Sequence, residues 1–257
     1  MKKKLLLLTI ILIAIFNTNA QVFKIAKSSG RLLINLPGAT IEGYDGKEII
    51  FTSLDSNEEK DERAAGLKQI SGTATYEDNT GIGINVTDKG NNVEVNVAGK
   101  KKIEGLVIKV PKNMPVSFVY EKDINAGEVI FRKMESEIEV SVQYNTVKLD
   151  SVTGPMNIKT VYGGIEASFT TTIKGPVSIL SVYGFIDISL PLTTRAQINF
   201  STSYGQIYAA SDFKIAMEKP DTEALSYGDQ VKGKINGGGI DIVLKSNYGK
   251  IYLRKLK

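Results

Sequence analysis

A Tyr-Gly pair returns at a fixed interval through the second half of this chain. Tyr162-Gly163, Tyr183-Gly184 and Tyr204-Gly205 lie 21 residues apart. Tyr227-Gly228 follows after a 23-residue step and Tyr248-Gly249 after another 21. Gly154-Pro155 recurs as Gly175-Pro176, and the apolar positions keep the same register. Met156, Val177 and Ile198 form one column, Ile158, Ile179 and Phe200 a second, Ile165, Ile186 and Ile207 a third, and Ala167, Ile188 and Ala209 a fourth. A repeat of this length takes precedence over local pattern, because each unit must bury its apolar face against the next.

Each repeat holds two segments that alternate by two, which puts one side of each strand inward and the other in solvent. Two strands and two corners then make one coil. A hairpin meander or antiparallel β-sandwich, the alternative architecture, has no need for residues 21 apart to match. A β-solenoid does, because like positions stack about 4.8 Å apart. The expected fold is therefore all-β, a β-solenoid or β-roll with regular coils from about residue 135 to 257. Tyr144 reads as a degenerate earlier copy of the corner. Under chain-order stacking, Ile186 should touch Ile165 and Ile207.

Residues 21–115 read as a less regular β part of the same domain. Short strands are expected at 32–36, 39–44, 48–51, 81–86, 92–97 and 106–110, with Asp45-Gly46 as a hairpin signal between the second and third. The charged run from Asp55 to Arg63 has no apolar stripe and reads as an exposed insert.

Met1–Ala20 has the form of a signal peptide: Lys2, Lys3 and Lys4, an apolar run from Leu5 to Phe16, and small residues Thr18 and Ala20 at the cleavage positions. The run falls short of the roughly 20 apolar residues a membrane span needs. Cleavage after Ala20 removes three of 32 basic residues and none of 28 acids, so the net charge falls from +4 to +1. The chain is thus expected to be exported, to the periplasm, the cell surface or the medium, with no transmembrane segment left. Its scattered lysines make no basic face for nucleic acid.

The residues Ala39–Gly46, Glu48-Ile49-Ile50, Ala65-Gly66-Leu67, Leu106–Lys112 and the Tyr-Gly-x-Ile coils ending in Ile186–Pro191 resemble a bacterial domain-of-unknown-function family called "putative adhesin", related in style to auto-transporter adhesin head domains. The resemblance runs over nearly the whole mature chain. It implies an exported β-solenoid and offers no catalytic residues to carry over.

With no Cys and no His, most hydrolase triads, thiolate chemistry and the usual zinc sites are excluded. No cofactor is expected. Two groups of residues remain as candidate surface. One is the tyrosine column Tyr162, Tyr183, Tyr204, Tyr227 and Tyr248, read first as a packing ladder at the coil corners, whose glycines answer a demand for unusual φ, and second as a sugar-binding stripe. The other is Glu166 with Asp187, outward neighbours about 5 Å apart in stacked coils, close to the spacing of a retaining glycosidase pair. Tyr208 is the next residue expected in that acidic column, and Gly237-Gly238-Gly239 reads as a tight turn.

The functional expectation is a non-enzymatic adhesin-like or scaffolding protein of the bacterial envelope or surface, whose outward solenoid faces bind an envelope protein or a glycan. The alternative is a carbohydrate-active β-helix enzyme, a polysaccharide lyase or glycosidase. A structural spacer that binds nothing is a third reading.

Overall fold

The computed structural model describes residues 20–54, 63, 76–99, 103, 105–122, 125–170, 172–218 and 228–256. The leader up to residue 19, most of the charged insert and Tyr227 lie outside the described residues.

The strands, numbered in chain order, form two sheets. One sheet has the order β1 (Ala20–Ile25), β4 (Ile49–Leu54), β7 (Val107–Pro111), β3 (Ala39–Tyr44), β9 (Val129–Arg132), β11 (Val147–Val152), β13 (Ile165–Phe169), β15 (Ile186–Leu190), β21 (Ile251–Lys255), β17 (Ile207–Ala209). The other has the order β18 (Ile215–Met217), β19 (Asp229–Ile235), β16 (Ala196–Thr202), β20 (Ile240–Ser246), β14 (Val177–Ser181), β12 (Met156–Thr160), β10 (Ile138–Val142), β8 (Val116–Tyr120), β2 (Arg31–Asn35), β6 (Asn92–Val97), β5 (Ile84–Asp88). From β7 to β17 in the first sheet and from β6 to β16 in the second, every ladder is parallel. Consecutive strands of a coil, such as β12 and β13, lie in opposite sheets. This is a β-solenoid, and the sandwich alternative is excluded.

Alternation fills the interior. Met156, Ile158, Ile165, Ala167, Val177, Ile179, Ile186 and Ile188 are all buried, and each pairs in register with the like position of the next coil. Branched side chains stacked this way bury apolar area along the full length of the molecule, at roughly 25 cal/mol per Å². The stack also takes in coils N-terminal to the sequence repeat, since β2–β3 and β6–β7 join it in parallel.

The order of coils departs from chain order at the C-terminal end. β20 pairs with β14 on one side and β16 on the other, and β21 lies between β15 and β17. The last coil is therefore inserted between the two that precede it. Ile186 pairs with Ile165 as expected, but its other partner is Ile251, and Ile207 lies one coil further out. The loop 236–239 makes this possible. β19 and β20 flank β16, with Ile235 and Ile240 both opposite Ala196, so the loop arches over the start of β16. Gly237-Gly238-Gly239 serves that turn, with positive φ at Asn236, Gly237 and Gly238.

The N-terminal end repeats the device and corrects a second expectation. β3 and β4 do not form a hairpin across Asp45-Gly46, because β7 lies between them, parallel to β3 and antiparallel to β4. The turn is real, and Tyr44 braces it by donating its hydroxyl to the Glu48 carbonyl at 2.7 Å. Antiparallel strands then cap the ladders except at β17, which stays an edge among the described residues: β4 and β1 at one end, β5 beside β6, and β19 with β18 beside β16. Such capping blunts the unpaired edges that a parallel stack presents.

Candidate functional site

The tyrosine corners are built on a four-residue unit, Ser/Thr-x-Tyr-Gly: Thr160–Gly163, Ser181–Gly184, Thr202–Gly205 and Ser246–Gly249. The first residue ends its strand as the last inward position, and its side chain is buried. Its hydroxyl accepts a hydrogen bond from the glycine N–H three residues later, at 3.2 Å for Gly163 and 2.9 Å for Gly184, Gly205 and Gly249. The same hydroxyl donates to a carbonyl of the adjacent coil: Thr160 to Asn145, Ser181 to Gly163, Ser246 to Gly184 and Thr202 to Gly249, at 3.0–3.3 Å. Each hydroxyl thus satisfies a turn N–H and a neighbouring C=O that burial would otherwise leave without partners.

The glycine is required for room, not for φ. Gly163, Gly184, Gly205 and Gly249 have no positive φ, which corrects the sequence-based reason for them. A Cβ on Gly184 would instead run into the Gly163 carbonyl, and one on Gly249 into the Gly184 carbonyl. The coils approach too closely at this corner for any side chain but hydrogen.

Held at that spacing, the tyrosines stack. Ring centroids are 5.0 Å apart for Tyr144–Tyr162 and Tyr162–Tyr183, 4.8 Å for Tyr183–Tyr248 and 5.0 Å for Tyr204–Tyr248. Interplanar angles are 15° or less. The ridge therefore contains Tyr144, places Tyr248 between Tyr183 and Tyr204, and has Tyr227 outside the described residues. Stacked aromatic pairs contribute about 0.5–1.5 kcal/mol each beyond burial. Inside the ridge each face is covered by the next ring, so edges and hydroxyls meet solvent, and the rings remain about half exposed. Tyr204, at the outer end, is 71% exposed and presents a free face.

The outer surface of the β3–β17 sheet carries the carboxylates. Glu166 and Asp187 are direct partners in the β13–β15 ladder. Beyond Asp187 the column continues to Tyr252 and only then to Tyr208, again because the last coil is inserted. Tyr208 and Tyr252 stack at 5.5 Å, with the Arg254 guanidinium 5.3 Å from the Tyr252 ring. Asp187 is half-buried and accepts the Arg254 Nε–H at 2.7 and 2.9 Å, which raises the Arg254 pKa. Lys148, the ladder partner of Glu166, bonds Glu128 at 2.5 Å; that bond, and secondarily the charge of Glu166, raise the Lys148 pKa. Glu128, Arg132, Lys148, Glu166, Asp187 and Arg254 line an open groove of about 510 Å³. Both signs of charge alternate along it, so its chemistry is that of a polar contact surface rather than of an isolated acid pair.

Among the described residues, no cluster of three or more acidic side chains is placed to hold a metal ion, and no helix is long and apolar enough to cross a membrane. A family model described as Toastrack DUF4097 matches residues 54–253. No curated protein matches the chain. Among solved structures, a "putative cell adhesion protein" from Clostridium sporogenes is 11% identical with a TM-score of 0.40, covering 92% of this chain and 99% of its own. A "putative adhesin" from Bacteroides fragilis is 13% identical with a TM-score of 0.26, covering 92% and 97%.

Proposed function

The chain belongs to the Toastrack DUF4097 family, and on that premise we propose that it is an exported, non-enzymatic protein of the bacterial envelope or surface. After cleavage behind Ala20, residues 21–257 act as one adhesin-like or scaffolding domain that binds an envelope protein or a glycan through its outward faces. The observation that carries this reading is the ridge of five stacked tyrosines along one corner of the solenoid. Tyrosine supplies large, rigid contact area with a polar tip, which is why it is enriched where proteins meet partners. A row of half-exposed rings at a fixed spacing suits a long, regular partner better than a small molecule.

The groove beside Glu166 and Asp187 extends that surface. Asp187 is committed to Arg254 and Glu166 lies beside Lys148, so neither carboxyl stands in the apolar setting that separates acid from base in glycosidases.

The test is retention on native envelope and on a glycan array by the mature chain and by a Tyr162→Ser, Tyr183→Ser, Tyr248→Ser variant. A ligand held by the former and lost by the latter, with unfolding still cooperative in both, is expected. Equal retention refutes the role of the ridge. Polysaccharide cleavage that disappears in a Glu166→Gln, Asp187→Asn variant refutes the non-enzymatic reading.

A further inference from the structure

We propose that the slot between coil β14–β15 and coil β16–β17 is an acceptor site for the C-terminal coil, residues 240–255, of a second copy of this chain, so that two copies associate by exchanging that coil.

The slot recognises a type of coil rather than its own covalent continuation. On one wall stand Val177, Ile179, Ser181, Ile186 and Ile188, and on the other Ile198, Phe200, Thr202, Ile207 and Ala209. The inserted coil meets them in register with Ile242, Leu244, Ser246, Ile251 and Leu253. Ser246 donates to Gly184 O and Gly249 O accepts from Thr202, so the hydroxyl ladder runs through the insert. Tyr248 completes the ridge between Tyr183 and Tyr204. Arg254 bonds Asp187 and Lys255 bonds Asp212. Every one of these contacts is identical whether the coil belongs to the same chain or to another.

Only the loop 236–239 changes between the two arrangements, and it has the composition of a hinge. Three of its four residues are glycine, positive φ runs through Asn236, Gly237 and Gly238, and a Cβ on Gly237 would meet nothing within 4 Å. Its side-chain anchor is Asn236, which donates to the Leu192 and Thr194 carbonyls at 2.8 Å. With contacts conserved and a permissive hinge, exchange between copies is set by concentration once the coil has been released. Release opens the ladders on both sides of the coil, so exchange takes place when chains unfold and refold together.

The chain has no cysteine, which makes the test clean. Ser178 and Val243 are ladder partners on the outward side of β14 and β20. The S178C and V243C variants are unfolded together, refolded at high protein concentration and oxidised; a S178C/V243C double variant is treated alone at low concentration. The double variant is expected to close an internal disulfide, since adjacent strands hold the two Cα atoms within bridging range. The mixture is expected to give a mixed disulfide dimer in about tenfold or greater excess over the S178C homodimer, because exchange alone brings the two thiols into register. Mixed and like dimers in statistical proportion would overturn the proposal, and so would failure of the internal bridge. An independent variant lacks Gly237 and Gly238. Two residues must then span two strand spacings, about 9.5 Å, almost fully extended and without room to arch over β16. It is expected to shift from monomer to dimer in light scattering; a folded monomer of wild-type stability overturns the proposal.

Discussion

Truncating Ile251 should destabilise the protein far more than truncating Ile207, although Ile207 precedes it in the chain and sits in the sequence-aligned column with Ile165 and Ile186. Ile251 is fully buried between Ile186 and Ile207, whereas Ile207 lies in the short edge strand β17 and is only half-buried. Ile→Ala removes three carbons, and at about 0.8 kcal/mol per buried carbon the transfer loss at position 251 is about 2.4 kcal/mol. Coils on both sides prevent the site from collapsing, so the cavity adds to this, for about 3–4 kcal/mol within the usual range for such truncations. At position 207 solvent fills the gap, and about 1 kcal/mol is expected. Urea titration followed by far-ultraviolet circular dichroism, with unchanged slope, reads both values. A larger loss for Ile207→Ala than for Ile251→Ala would mean that the coils stack in chain order and would refute the inserted arrangement.

Three further outcomes follow from the same geometry. Ser181→Ala leaves the Gly184 N–H and the Gly163 carbonyl without their partner and should cost about 1–3 kcal/mol, whereas Ser181→Thr, the residue that two sister corners use, should cost well under half of that. Burial pushes the Asp78 carboxyl up, but the N–H groups of Thr80, Gly83 and Gly81 and the Thr80 hydroxyl outweigh it and hold its pKa below the ordinary value. Its stabilising contribution is therefore complete above the unfolded-state value near pH 4 and is lost as pH falls through the lower folded value; thermal unfolding of Asp78→Asn should lose less midpoint than wild type on acidification, and parallel pH curves would contradict this. Asp187→Asn breaks the ion pair with Arg254 but, at a half-exposed site, should change stability by about 1 kcal/mol or less; a much larger loss in thermal unfolding would show that the pair is structural.

Much of the coil was legible in the sequence. Alternation assigns Ile186 and Ile188 inward and Asp187 outward, and the structure agrees, except that Arg254 covers Asp187 enough to leave it half-buried. The stacking order was not legible, because Val, Ile and Leu at the column positions fit any neighbouring coil equally well. What decides the order is the route of the loops at 236–239 and 45–48, and an Asp-Gly or Gly-Gly pair reports that the chain reverses without saying which strand lies in between. One further signal lies in the sequence. The four Tyr-Gly corners of the ridge carry Ser or Thr three residues before glycine, whereas Gly228, which has a positive φ, has Leu225 at that position and follows an off-register step of 23. Conversely, Tyr144 joins the ridge although Asn145 replaces glycine, because the Asn145 side chain donates to the Pro37 and Gly127 carbonyls and braces the corner by other means.

The ridge and the groove both run continuously through the C-terminal coil, so the account stands on that coil being interior. Amide hydrogen exchange measured strand by strand addresses this directly. The account predicts that amides of β20 and β21, paired on both sides, exchange as slowly as those of β14 and β15, close to the limit set by global unfolding, and that β17 exchanges much faster. Fast exchange across residues 240–255 combined with strong protection at 207–209 would contradict it.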